Sequence, residues 1–279
     1  MAKPVIVLVP GAWHVPAHFD HVRRELEAAG YTCIGVDLPG NTAQPRVDGR
    51  LVGIDDDVAA VRQAVVDQLD SGSGSGSGSN VVVVTHSYGS IPGTAALAGL
   101  GAEARELEGK STSVTNVVII AGFLLPAGTT MLAVMGGQLP PQYLHEGDTT
   151  LPFNGPGAIQ VLYNDLDPLE AQKAIWQLKP QSYGINTSPV PDQAAASKGV
   201  PVSYLLCSDD RAVPWVAQTV TVAGFRAAGR DVYAEVAPSG HSPFLKVPGE
   251  TARFVRKVAG EDLVTGFEVF RASGSEGED

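Results

Sequence analysis

The sequence predicts an α/β fold of three layers: a mostly parallel six-stranded sheet, helices on both of its faces, and an inserted helical cap. Three observations point there. Short β-branched runs alternate with longer stretches of helical period. Two of the runs, Val81-Val82-Val83-Val84 and Val117-Val118-Ile119-Ile120, are apolar on both faces, as strands of a covered parallel sheet must be. One interval, residues 122–199, breaks the rhythm while remaining rich in apolar residues.

Taken in order, strands are expected at Val5–Val9, 32–36, 81–85, 117–121, Val202–Cys207 and 232–236. The helix after the second strand opens on Asp55-Asp56-Asp57, because acids in a first turn meet the positive end of the helix dipole. No accompanying ligands make that triple acid a metal site. Asp167-Pro168-Leu169-Glu170 reads as an N-cap, a proline at the first helical position and a glutamate at the third. Residues 71–79 alternate Ser and Gly and are expected to form a flexible loop. Residues 272–279 form an acidic tail without a core residue and are expected to be disordered. The interval 122–199 is too apolar for a loop and reads as a helical cap over the carboxyl edge of the sheet, leaving 1–121 and 200–271 as the core.

At 279 residues with 44% apolar side chains, one hydrophobic core is well supplied. Nineteen Lys and Arg against thirty Asp and Glu give a net charge of −11, which excludes nucleic acid and anionic membrane surfaces as partners. No apolar run approaches the ~18 residues of a membrane span, and Val5–Val9 is too short for a secretory segment. Cys33 and Cys207 are read as reduced structural thiols of a cytoplasmic protein. The expected partner is a small-molecule substrate, and the oligomeric state stays open. No cofactor and no metal are expected; a phosphate-cradling G-x-G-x-x-G fails after the first strand, where Trp13 and Pro16 occupy glycine positions.

Chemistry concentrates at strand ends. The third strand runs into Thr85-His86-Ser87-Tyr88-Gly89-Ser90, ahead of the helix-forming Thr94-Ala95-Ala96-Leu97-Ala98. A serine on a sharp strand-to-helix turn projects its hydroxyl above the sheet and puts the next N–H at a helix amino end. Gly89 is the small residue that this turn needs two places later, while Thr85 stands where a glycine is usual; a plain N-cap serine is the alternative. A serine hydroxyl is inert without a base and an orienting acid. The fifth strand ends in Ser208-Asp209-Asp210-Arg211-Ala212-Val213-Pro214, and the sixth is followed by Ser239-Gly240-His241-Ser242-Pro243-Phe244. Ser87, Asp210 and His241 thus occur in the Ser, Asp, His order of an elbow architecture. Beside Tyr88 N–H, a second donor to an oxyanion hole is offered by Ala12 N–H in Pro10-Gly11-Ala12-Trp13.

On these residues the chain resembles the α/β-hydrolase superfamily, and within it the branch of plant methylesterases and hydroxynitrile lyases with their fungal and bacterial relatives. The likeness spans residues 4–271 and is carried by Pro10-Gly11-Ala12-Trp13-His14, Val36-Asp37-Leu38-Pro39-Gly40, His86-Ser87-Tyr88-Gly89, and the segments 210–214 and 240–244. It implies Ser87 as nucleophile, Asp210 as acid, His241 as base, and Ala12 and Tyr88 as oxyanion donors. The chain departs from the family at Pro10, where many members have His, and at Thr85. The lyases of the branch carry a Thr in the oxyanion loop and a Lys after the histidine; Gly11 and Ser242 stand there, which disfavours cyanohydrin cleavage.

Rivals lose on chemistry. The D-x-x-x-P spacing to Pro214 selects Asp210 over Asp209. His14, His18 and His21 share a helical spacing but lack an H-E-x-x-H arrangement, so His18 and His21 read as surface residues. Cys207 lies within a strand and not on a turn. Trp13, His14, Phe123 and Trp176 are expected to line the substrate pocket. Residues 122–199 hold six acids, three lysines and no arginine, which predicts a neutral, largely apolar ester or lactone as substrate. A non-hydrolytic catalyst on the same scaffold (lyase, cyclase or isomerase) and a binding protein are the alternatives.

Overall fold

The computed structural model describes residues 2–71, 78–140, 143–152, 156–193 and 197–271, so the expectations for 72–77 and for the tail 272–279 lie outside the described residues. Its central sheet has seven strands: β1 (Val5–Val9), β2 (Cys33–Gly35), β3 (Val81–His86), β4 (Val114–Ile120), β5 (Val202–Cys207), β6 (Val232–Ala237) and β7 (Glu268–Val269). The order across it is β7-β6-β5-β4-β3-β1-β2. The first six are the expected strands, all parallel. The seventh corrects the six-stranded reading: it runs antiparallel at the edge, with Glu235 opposite Val269. Two exposed residues give no period to read in sequence. A buried carboxylate holds the segment in place, since Thr265 Oγ1 donates to Glu235 Oε2 at 2.6 Å.

Alternation along the strands divides the core in two. Val5, Val7, Val9, Val81, Val83, Val117, Ile119, Tyr204 and Leu206 pack on one face against Val61, Val65 and Leu69 of helix Ile54–Leu69 and against Phe225 of helix Trp215–Ala227. On the other face Ile6, Leu8, Val82, Val84, Val118, Ile120 and Leu205 meet Val22 and Leu26 of helix Asp20–Ala28 and Phe254 and Val255 of helix Pro248–Val258. Burying one such side chain is worth about 1.5–3 kcal/mol, so both faces fix the register of every central strand. The result is the expected three layers.

Residues 122–199 differ from a purely helical insertion. They contain helices Met131–Val134, Pro156–Leu162, Pro168–Gln177 and Gly184–Thr187. They also hold a small antiparallel sheet of Leu144–Glu146, Thr149–Leu151 and Gln181–Ser182. Gly147 turns the first hairpin at a φ of 58°, and the β-branched Thr149 and Thr150 favour extension beyond it. Helix Pro168–Gln177 begins as its sequence dictates, with Asp167 accepting from Leu169 N–H at 2.9 Å. Among the described residues no helix is long and apolar enough to cross a membrane.

Candidate active site

Ser87 leaves β3 at a φ of 52°, the left-handed region that a residue with a Cβ enters at a cost of about 1–3 kcal/mol. A single tight turn, Ser87–Gly89, then leads into helix Ser90–Ala95. Sterics explain the local sequence. A Cβ at Gly89 would overlap the Pro10 carbonyl oxygen, and a Cβ at Gly93 would overlap Cγ2 of Thr85. Bulk and space are matched here: Thr85 puts a side chain two places before the serine, and Gly93 leaves the room that it occupies. Thr85 also donates through Oγ1 to Val118 O at 3.1 Å.

Beneath the turn, Tyr88 Oη donates to Asp57 Oδ2 at 2.6 Å, and Asp57 Oδ1 accepts from Gly40 N–H at 2.6 Å. Burial pushes the Asp57 carboxyl up to about 6. The triple acid is thus split in function, for Asp56 accepts from Gly53 N–H at the helix start while Asp57 points inward. A signal existed: Asp57, Val61, Val65 and Leu69 recur every four residues on one buried stripe.

After β6, His241 Nδ1–H donates to Asp210 Oδ2 at 2.8 Å, with both side chains buried. Asp210 Oδ1 accepts from the N–H groups of Ala212 (2.7 Å) and Val213 (2.9 Å), so the carboxylate is fixed by its own loop. With Nδ1 committed, Nε2 is the ring atom available to a hydroxyl. Asp209 is exposed and engages through its backbone, donating to Ser239 O at 3.0 Å.

These elements meet around a cavity of about 260 Å3 at the carboxyl ends of the strands. Ser87, Tyr88 and His241 line it together with Ala12, Trp13, His14 and Phe123. Residues 122–199 add Met131, Met135, Pro140, Tyr143, Val161 and Leu162, which periodicity alone had not singled out. Trp176 is not among its walls. It is 74% exposed, because helix Pro168–Gln177 turns Ala171 and Ala174 inward and places Trp176 on the opposite side. The acids of the segment do not line the cavity either. Its one charged wall among the described residues is Arg211, from the loop after β5, which also donates to Gln160 Oε1 at 3.0 Å.

His14 is buried: Nδ1–H donates to Ala12 O at 2.8 Å, which leaves Nε2 to accept from Tyr163 Oη at 2.9 Å. Burial holds its pKa well below the ordinary value, so the ring stays neutral at pH 7. His18 is buried too, not a surface residue. Its ring packs 4.6 Å from that of His14 and bonds to Ala174 O at 3.1 Å, an arrangement set by contact with residues 122–199. Cys33 and Cys207 are unpaired, and burial raises both thiols, Cys33 to about 12.

The model of the alpha/beta hydrolase family matches residues 6–254. The chain belongs to that family. The curated α/β hydrolase nvfD of Aspergillus novofumigatus is 30% identical to this hydrolase over 266 residues, 94% of this chain and 99% of that one. Among solved structures, polyneuridine aldehyde esterase superposes with a TM-score of 0.69 at 16% identity, covering 92% of this chain and 100% of its own. The methylesterase MES16 from Arabidopsis does so with a TM-score of 0.61 at 18% identity, covering 91% and 98%. The hydrolase therefore shares its fold with plant methylesterases, as its strand-end motifs imply.

Proposed function

We propose that this hydrolase cleaves a neutral, largely apolar carboxylic ester or lactone through an acyl-enzyme. The observation that carries the reading is that His241, bonded to Asp210 at 2.8 Å, lines the same cavity as Ser87, which sits at a φ of 52°. Ser87 Oγ attacks the carbonyl carbon while His241 Nε2 takes its proton. Asp210 holds the ring in that tautomer and stabilises the imidazolium. The N–H groups of Ala12 and Tyr88 receive the oxyanion, each worth about 3 kcal/mol of barrier. His241 then protonates the leaving alkoxide, and water, deprotonated by His241, releases the acid and restores Ser87.

Phe123, Met131, Met135, Val161 and Leu162 suit an apolar acyl or aryl group. Arg211 is exposed, which keeps its pull on an anion weak in water. The unpaired, high-pKa thiols of half-buried Cys33 and buried Cys207 fit the reduced cysteines of a cytoplasmic enzyme.

A fluorophosphonate tests the nucleophile, since only an activated serine attacks phosphorus at neutral pH. Peptide mapping is expected to find the adduct on Ser87. An adduct elsewhere, or none on folded protein, overturns the reading. A paired assay of a neutral ester and its carboxylate-bearing analogue tests the substrate class, with higher kcat/KM expected for the neutral compound. Preference for the anion would give Arg211 the larger role.

A further inference from the structure

Asn41 belongs to none of the strand-end motifs, does not line the cavity, and is buried directly behind the loop that follows β1. Its amide touches that loop three times. Nδ2 donates to Gly11 O at 2.9 Å and to His14 O at 2.8 Å, and Oδ1 accepts from Trp13 N–H at 3.0 Å. The remaining lone pair of Oδ1 accepts from Gln181 Nε2 at 3.1 Å. Every donor and acceptor of the amide is therefore used, and its orientation is fixed by chemistry: carbonyls on one side, N–H groups on the other.

The three loop contacts bracket Ala12. They also bear on Trp13, which sits at a φ of 63°, a conformation that a bulky residue keeps only when its surroundings over-determine it. Part of that support comes from residues 122–199. Lys179 N–H donates to Trp13 O at 2.8 Å, Trp13 Nε1 donates to Thr150 O at 3.2 Å, and Ser182 N–H donates to Gly40 O at 2.8 Å. The small sheet of the insertion is thus stitched to both sides of Asn41.

We infer that Asn41 is a positioning residue: held by Gln181, it aims the Ala12 N–H at the oxyanion, so that residues 122–199 contribute to transition-state stabilisation from outside the cavity. The inference rests on the roles proposed above for Ser87 and Ala12. An oxyanion donor acts within a narrow range, about 2.7–3.1 Å from the charge as it develops, and loss of one lowers kcat by about 100- to 1000-fold. A donor that is merely misaimed loses part of that.

Asn41→Asp keeps the shape and replaces two donors with acceptors facing the Gly11 and His14 carbonyls. It is expected to lower kcat by about 10- to 100-fold with KM within about threefold, and to weaken a trifluoromethyl ketone transition-state analogue in step with kcat/KM. Gln181→Met leaves Asn41 in place and supplies the measurement should the Asn41 variant not fold; its expected loss in kcat is about 3- to 10-fold, again at nearly constant KM. A folded variant with kcat within twofold of wild type, or a loss confined to KM, overturns the inference while phosphonate labelling of wild-type Ser87 still upholds the reading beneath it. An unlabelled Ser87 in folded wild-type protein overturns both.

Discussion

Two turns face each other above the sheet, and they are held by different means. The elbow after β3 and the loop after β1 each force a residue with a side chain into the left-handed region, Ser87 at 52° and Trp13 at 63°. The elbow is held mainly by exclusion, with Gly89 against the Pro10 carbonyl and Gly93 against Thr85, and by one hydrogen bond beneath it, from Tyr88 to Asp57. The loop after β1 is held by hydrogen bonds from distant residues, 28 positions away in Asn41 and 137 in Thr150. Strain kept by volume leaves small residues at set places, such as Gly89, which a motif can carry. Strain kept by remote donors leaves no such mark, and it makes the loop dependent on the insertion.

The largest expected effect sets the scale for both turns, because it removes the partner of the proposed base, His241. Asp210→Asn is expected to lower kcat by about 10000-fold, the order found when a triad carboxylate is neutralised, through loss of the productive histidine tautomer. Asp209→Asn, at an exposed side chain, is expected to stay within about threefold. Steady-state kinetics of the two variants decide the matter; equal losses would divide the role between them.

Gly89→Ala probes exclusion itself. The added methyl meets a backbone oxygen that has nowhere to turn, so both turns must shift. Expected are a loss in kcat of about 100-fold and a destabilisation of about 1–3 kcal/mol. Normal activity with an unchanged melting temperature would show that the elbow is not fixed by contact with Pro10, and the contrast between the turns would fall.

The effect of Asp57 is read through the pH dependence of stability. Its folded pKa of about 6 lies above the ordinary 3.8, so between those values the fold binds a proton that the unfolded chain has released. This group's contribution is therefore present in full below pH 3.8 and is lost as pH rises through 6, by at most about 3 kcal/mol. Denaturation midpoints of wild type and Asp57→Asn between pH 5 and 7 are expected to diverge, wild type gaining relative stability toward pH 5. Parallel profiles would mean that Asp57 does not hold its proton more tightly in the folded state.

The central parallel strands were legible because a strand covered on both faces is largely apolar, and the loops that matter follow from where parallel strands end. Asp210, not Asp209, pairs with His241, in keeping with the spacing to Pro214. What escaped depends on contacts that no period encodes. Trp176 looked like a pocket wall by composition, yet its helix buries the alanines instead. His18 shares a spacing with His14 and His21, but the Ala174 carbonyl draws it inside. Arg211 lies outside residues 122–199, so their charge balance said nothing of the cation on the cavity wall. Asn41 is one polar residue in Gly40-Asn41-Thr42, indistinguishable from a turn until the chain has folded.

The match of bulk and space between Thr85 and Gly93 makes tolerance at each position conditional on the other. In this chain Gly93→Ala strikes the threonine methyl, whereas after Thr85→Gly the same alanine finds Val9 Cγ1 as its nearest remaining neighbour, at 4.0 Å. Thr85→Gly alone discards a buried hydrogen bond and opens a void. The two substitutions are therefore epistatic, and their effects on stability will not add. A lineage passing between the two arrangements crosses more easily if position 85 shrinks first. A pattern that demands a glycine two places before the serine passes over this chain, where Gly93 makes the room that Thr85 takes.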